Sequence, residues 1–401
     1  MDIYSKYYSA IEKQQFKQFL PSNNTELNFN KENQRIDFLV DVGDNFINSQ
    51  FQFVISGNFE AKDGEHYGPN SDTKLIDNFI PYLFRSIEVK KHGKLIDRID
   101  DPGIISTVKH TISLSQDESV SKMNGAVICN HKYGKFYYCG YLCDLGLGFF
   151  GDVKIPIYKG GFSLSFLRSS DNDAILLSKQ VVGGSYAPDG KISITDFYLR
   201  VPIVEFQTPS KIELIDEMTK FGSQKFVFRS WECIEQNGIT GKNYKFDVTN
   251  IYRNIDKPKF IIAAFQTSRR QNQKIDPSKF DHVDVRNIRV KVDESYYPDE
   301  MINLDIKEDN YTLLYEMYKD YKRAYGGNTN MLYNPKDFIQ NRPLFVLDVR
   351  KSPINISQPK TSIILYVDFQ NDPPANTNIY VLILSEKKLK YDFINNNITD
   401  E

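Results

Sequence analysis

Four residues in one short stretch carry metal-binding chemistry: Cys129, His131, Cys139 and Cys143. Thiolate and imidazole are ligands that suit zinc. Their spacing, C-x-H-x7-C-x3-C, matches no standard zinc module. Tyr137-Tyr138 and Gly140-Tyr141 give the stretch strand character, and on a strand residues 139 and 143 share a face but sit far apart. The expectation is no metal, with the cysteines as buried thiols. A nucleophilic triad needs a histidine beside Ser or Cys with a carboxylate behind it. The five histidines are His66, His92, His110, His131 and His282. His66 and His92 sit in turn-like segments. His282 lies between Asp281 and Asp284, where a local polar contact is the simpler role. There is no Gly-x-Ser-x-Gly elbow, and Gly146-Leu-Gly148 and Gly183-Gly-Ser185 lack the Lys-Ser/Thr of a phosphate loop. The carboxylate pairs Asp100-Asp101 and Asp216-Glu217 read as solvated surface. No catalytic, cofactor-binding or metal-ligating residue is assigned, no cofactor is expected, and the chain reads as a non-enzyme.

Basic runs are short. Ser268-Arg269-Arg270 and Lys387-Lys388-Leu-Lys390 are the densest. The second could touch packaged DNA phosphates without reading sequence, although a solvated strand end explains it as well. Net charge is -2, with a pI near 6.3, so no global field favours nucleic acid or anionic membrane. No run of 18 apolar residues exists, and Met1-Asp-Ile-Tyr-Ser-Lys has no apolar core of a secretory signal. The sequons at Asn23, Asn310, Asn355 and Asn397 are then by-products of an Asn-rich composition. Four cysteines are too few to staple 401 residues, which fits a reducing assembly compartment.

The elements that would position these residues are mostly strands. Length alone favours two domains, and 28 Phe and 25 Tyr favour pleated, half-buried surfaces. Residues 1–30 read as a polar N-terminal arm holding an amphipathic helix over 4–19, with Tyr8, Ile11, Phe16 and Phe19 near one face. Strand patterns follow at 35–42, 51–59, 83–90 and 94–98. Asp101-Pro102-Gly103 opens a short helix to about residue 110, and strands then alternate with Gly-rich turns to about 206. A helix is predicted over 208–222: Thr208 caps, Pro209 opens, Gly222 stops it, and Ile212, Ile215 and Met218 share a side. Strands near 244–252, 259–268 and 283–292 lead to an amphipathic helix over 310–325, with Leu314, Met317, Tyr318 and Tyr321 on one face and Gly326-Gly327 as its stop. Strands near 344–349, 362–369 and 378–385 close the chain, and 395–401 reads as a flexible tail.

The halves repeat. Arg85-Ser-Ile-Glu-Val-Lys90 recurs as Arg286-Asn-Ile-Arg-Val-Lys291, 201 residues later, with four of six residues identical. Other segments follow in the same order: 35–42 with 244–251, 51–59 with 260–268, 162–167 with 362–368, and 192–201 with 379–385. Self-similarity at this scale indicates two copies of one β domain fused head to tail. Arg85 and Arg286 fall by alternation on the face of Ile87/Val89 and Ile288/Val290, and both read as structural.

Ordered strings carry a family resemblance: Leu199-Arg-Val-Pro-Ile203, Phe228-Arg-Ser-Trp-Glu232, Lys257-Pro-Lys-Phe-Ile-Ile-Ala-Ala-Phe-Gln266, Phe280-Asp-His282, Arg286-Asn-Ile288, Tyr296-Tyr-Pro298, Leu313-Leu-Tyr-Glu-Met-Tyr318, Pro343-Leu-Phe-Val-Leu-Asp348 and Pro374-Ala-Asn376. Through them the chain resembles the double jelly-roll major capsid proteins of Polinton-type (Maverick) elements and adintovirus-like animal DNA viruses. The first half matches more loosely, through Lys154-Ile-Pro-Ile157 and the strand at 162–167. The resemblance implies an all-β chain of two tandem eight-stranded jelly rolls with a few short helices: arm 1–30, first jelly roll 31–207, linker helix 208–222, second jelly roll 223–394 and tail 395–401. It implies a homotrimeric, pseudo-hexagonal capsomer in a virion's icosahedral shell around double-stranded DNA. Its partners would be neighbouring capsomers and a separate vertex (penton) protein, with at most non-specific contact to DNA. Two other readings of the pattern stay open: a tandem β-sandwich carbohydrate- or receptor-binding protein, and a jelly-roll scaffold trimer shed as the virion matures.

Overall fold

The computed structural model describes residues 10–22, 30–67, 71–119, 127–130 (backbone only), 134–179, 185–252, 257–325, 330–352, 361–392, 395 and 397–400. Eight principal strands build each half. In the first they are β1 (Ile11–Phe19), β2 (Arg35–Val40), β3 (Gln52–Ala61), β4 (Phe84–Lys91), β5 (Lys94–Asp100), β6 (Lys135–Tyr141), β7 (Phe162–Arg168) and β8 (Gly190–Phe206). In the second they are β9 (Ser223–Gln236), β10 (Asn243–Asp247), β11 (Pro258–Thr267), β12 (Val285–Val292), β13 (Ser295–Tyr297), β14 (Phe345–Asp348), β15 (Ile363–Phe369) and β16 (Thr377–Asp392). One sheet of the first half runs β1-β8-β3-β6 and the other β2-β7-β4-β5; the second half runs β9-β16-β11-β14 and β10-β15-β12-β13, with every described pairing antiparallel. Each strand of the first half has its counterpart eight places later. This is the jelly roll, two facing antiparallel sheets, built twice.

The repeated hexapeptides lie in equivalent strands, β4 and β12, and they share a defect. Phe84 pairs with Arg168 and Ser86 with Leu167, which leaves Arg85 unpaired. Val285 pairs with Phe369 and Asn287 with Asp368, which leaves Arg286 unpaired. The same β-bulge therefore sits at the same residue of both copies. The bulge turns both arginines outward to solvent, so plain alternation misplaces them. Their carbonyls accept from the Asp101 N–H at 2.9 Å and the Leu304 N–H at 2.8 Å. Beyond the bulge Ile87, Val89, Ile288 and Val290 all point into the cores.

Aromatic rings fill those cores. Phe197 meets Phe38 at 5.0 Å and Phe166 at 5.1 Å in the first sandwich. Phe265 meets Phe345 at 5.6 Å and Phe369 at 5.8 Å in the second. The longer helices are α1 (Pro102–Ser113), α2 (Thr208–Phe221), α3 (Thr312–Ala324) and α4 (Pro335–Asn341).

Several expectations are corrected. Residues 11–19 form no helix; they are β1, paired along β8 from Phe19–Leu199 to Ile11–Phe206. The spacing that suggested one apolar helix face instead sends Phe19 towards the core and Phe16 to the opposite side. The tail is not free of structure, because Asn397–Asp400 pairs with the end of β16. Thr208 is the first residue of α2 and its cap is Gln207, which makes no side-chain cap bond. Leu214 and Met218 are its buried positions, whereas Ile212 is exposed. Gly222 stops α2 as expected, at φ 70° with its N–H bonded to the Met218 carbonyl. In α3 the buried face is Leu314, Tyr318 and Tyr321, joined by Lys322. Gly326 and Gly327 lie outside the described residues.

Candidate functional site

The residues with possible chemistry are spread through the fold. Cys139 is exposed on β6, Cys143 is half-buried in the 3-10 turn that follows, and Cys233 is buried on β9. The expectation of buried thiols thus fails for Cys139, whose side chain falls on the outer side of the alternating strand. The side chain of Cys129 and all of His131 lie outside the described residues. Among the described residues no three His, Cys, Asp or Glu side chains group as a metal site. His282 has the local role expected: its Nδ1 accepts from the Asp284 N–H at 3.1 Å.

Several charged residues are committed to ion pairs. Arg98 bonds Asp100 at 3.0 Å, and Lys220 bonds Asp216 at 2.6 Å. Arg269 Nε donates to Asp281 at 3.0 Å. Arg270 pairs with Asp101 and reaches Asp173 at 3.6 Å. Lys387 donates to the Ile96 carbonyl at 2.9 Å, which places it in a contact between sandwiches. Lys388 and Lys390 are the exposed members of that basic run.

The most developed polar and aromatic cluster is a tight junction between the halves. Strand β9 runs beside β5 and the short helix Phe149–Asp152. Asp152 accepts from the Arg229 N–H at 2.9 Å and from its Nε at 2.8 Å, and also pairs with Nη2. Burial pushes the Asp152 carboxyl up, but the Arg229 hydrogen bonds and charge outweigh it and hold it below the usual carboxylate range. Phe149 sets its ring edge-on to Phe226 at 5.6 Å and Phe228 at 5.5 Å. Gly148 approaches so closely that a Cβ there would lie 1.6 Å from the Arg229 carbonyl oxygen. That contact accounts for one glycine of Gly146-Leu-Gly148. Asp97 is buried in the same junction, within reach of the Phe149 N–H at 3.4 Å and Ser230 Oγ at 3.5 Å. Burial raises its pKa to about 6 against the pull of Lys387 and the backbone N–H groups.

The halves differ in how one face is covered. The outer face of the β9-β16-β11-β14 sheet carries Trp231, Cys233, Phe260, Ile262, Leu382 and Leu384, all buried. Tyr321 of α3 lies 5.3 Å from Phe260 and 6.4 Å from Trp231, and α1 of the first half packs on β9 beside it. The equivalent face of the β1-β8-β3-β6 sheet is open among the described residues. Tyr137 is 52% exposed, Tyr141 42% and Phe16 42%. Arg200 lies 4.5 Å from the Phe16 ring and bonds Gln52 at 2.9 Å. The sequence held one signal of this face, the aromatics on both sides of β6, but only the pairing shows that nothing described covers it.

A family model described as a double jelly roll-like domain matches residues 73–389. No curated protein is significantly similar in sequence. Among solved structures, the mavirus major capsid protein superposes with a TM-score of 0.60 at 12% identity, over 98% of this chain and 90% of its own. The Faustovirus major capsid protein gives 0.58 at 9%, over 94% and 90%. A Sputnik virophage chain solved by cryo-electron microscopy gives 0.56 at 9%, over 98% and 89%. At such identities these likenesses show the fold.

Proposed function

The chain belongs to the double jelly roll-like domain family, and from that premise we propose that it is a viral major capsid protein, a structural, non-catalytic building block of the virion shell. The observation that carries the reading is the repeat of strand pairings, in the same order, in the two sandwiches. Two similar wedges per chain let three chains present six, so that a trimer fills a six-neighbour position in a curved lattice. Closed rotational symmetry is the usual way identical chains associate. The mavirus and Faustovirus proteins that share this fold are major capsid proteins, which supports the same role. Neighbouring capsomers and a separate vertex protein are the partners this role requires, and assembly would place the chain in the virion capsid. Lys388 and Lys390, exposed at the end of the basic run, are the residues for weak contact with packaged DNA.

Light scattering across a salt series tests the oligomer. The expected mass is three times the 46.5 kDa chain, persisting in high salt because apolar burial is not screened as ion pairs are. A monomer at every concentration and salt would favour the carbohydrate- or receptor-binding reading.

A further inference from the structure

A loop of the second sandwich grips the first. Residues 268–277, between β11 and β12, bond to the chain that runs from β7 to β8. The Gln271 side chain accepts from Ser170 Oγ at 2.7 Å, and the Gln273 carbonyl accepts from the Leu177 N–H at 2.8 Å. The buried Gln273 side chain closes a pair with Gly190, accepting from its N–H at 2.7 Å and donating to its carbonyl at 2.9 Å. At the root of the loop Arg270 pairs with Asp101, and its Nε lies 3.6 Å from Asp173. Asp173 is 2% exposed and also accepts from the Gln271 N–H at 2.6 Å and from its Nε2 at 3.1 Å. Glu235 of β9 faces the same guanidinium and accepts from Asn378 Nδ2 at 3.3 Å.

Three carboxylates, two from the first half and one from the second, thus meet one guanidinium at a largely buried seam. We propose that this seam is a proton-operated clasp: protons taken up by the carboxylates tighten the grip of the loop on the first sandwich, and their loss towards neutral pH and above relaxes it. Fully ionised, the group sets three negative charges against one positive, and like charges that share a desolvated site oppose each other's ionisation. Asp101 shows what the arrangement gives up locally. Aspartate is a favoured helix cap, yet Asp101, directly before α1, makes no side-chain cap bond and pairs with Arg270. Neighbouring charges are committed elsewhere. Asp100 pairs with Arg98, Asp171 with Arg168 and Asp281 with Arg269, Asp276 accepts from Ser278, and Lys274 lies over the Tyr186 ring. Burial keeps the Cys233 thiol and the Tyr380 hydroxyl protonated well past neutrality. Burial also pushes the Asp173 and Glu235 carboxyls up, against the pull of Arg270. Carboxyls raised in the folded state contribute stability that is fully present below their ordinary values of 3.8 and 4.5 and is lost as pH rises through the folded ones. The clasp is therefore tightest in acid.

Hydrogen exchange of the full-length protein tests this, read as protection factors so that the intrinsic pH dependence of exchange cancels. The reporters are the amides of Gln271, Leu177 and Gly190, each bonded across the seam or to its carboxylate. In the wild type they should lose protection by about tenfold or more from about pH 5 to about pH 8, the factor that one pK unit of differential protonation supplies. Glu235→Gln, which removes a charge and keeps an acceptor for Asn378, should recover protection at about pH 8, and so should Asp173→Asn. Asp97→Asn, which changes a different buried carboxyl of the junction, should leave the fall intact. Equal protection at both pH values in the wild type overturns the clasp. So does a fall that persists in full in both Glu235→Gln and Asp173→Asn, or one that vanishes in Asp97→Asn.

Discussion

Ile288 and Arg289 are neighbours on β12 that meet opposite environments. Ile288 is buried in the second core, whereas Arg289 lies on the outer face against Tyr296. Ile288→Asp would bury an unpartnered charge and should cost about 3–5 kcal/mol. Arg289→Asp should cost under about 1 kcal/mol, the loss of one partly exposed cation–π contact. Equal melting temperatures for the two variants would show the register to be wrong. Asp97 makes a pH prediction. Its folded pKa of about 6 lies above the ordinary 3.8, so its favourable contribution is fully present below about 3.8 and is lost as pH rises through about 6. Asp97→Asn removes that dependence. Between pH 4 and pH 7 the stability difference should move in the variant's favour by on the order of 3 kcal/mol, measured by urea unfolding at both pH values. A constant difference would mean that Asp97 is solvated. Residue-level reading of the sequence places Ile288 and Val290 correctly because alternation holds after the bulge. It fails at Arg85 and Arg286 because a bulge shifts the alternation without leaving a mark in the composition.

At the scale of elements, strand content and helix ends are readable wherever the local signal agrees with the tertiary environment. Pro209 and Gly222 bracket α2, and the i, i+4, i+7 apolar spacing marks α3. Strand β1 is not readable. Ile-Glu-Lys-Gln-Gln-Phe-Lys-Gln-Phe is rich in good helix formers, and only pairing with β8 makes it a strand. An edge strand exposed along most of its length carries little alternation to detect. Junction geometry is equally hidden, since nothing local to Gly148 announces that a distant carbonyl will rest against its Cα. Gly148→Ala forces two backbones apart, and an overpacked, backbone-limited contact of this kind should cost at least about 2–3 kcal/mol. Thermal unfolding checks it. Wild-type stability in that variant would contradict the close packing of β9 on the turn before Phe149.

For the whole molecule, the duplication is legible because equivalent strands keep their order at an offset near two hundred residues, and the structure places each pair of segments in counterpart strands. What order alone cannot supply is the asymmetry between the copies. One sheet face is closed by α1 and α3, and its counterpart displays Phe16, Tyr137 and Tyr141. That asymmetry depends on which loops carry helices and where they fold back. A duplicated wedge with one closed and one open face suits a repeating shell. An isolated binding module would have no such need. Electron microscopy of the concentrated, purified protein tests this most directly. Threefold particles of hexagonal outline that tile into sheets or closed shells are the expected result. Isolated two-lobed monomers at every concentration, without higher assembly, would contradict it.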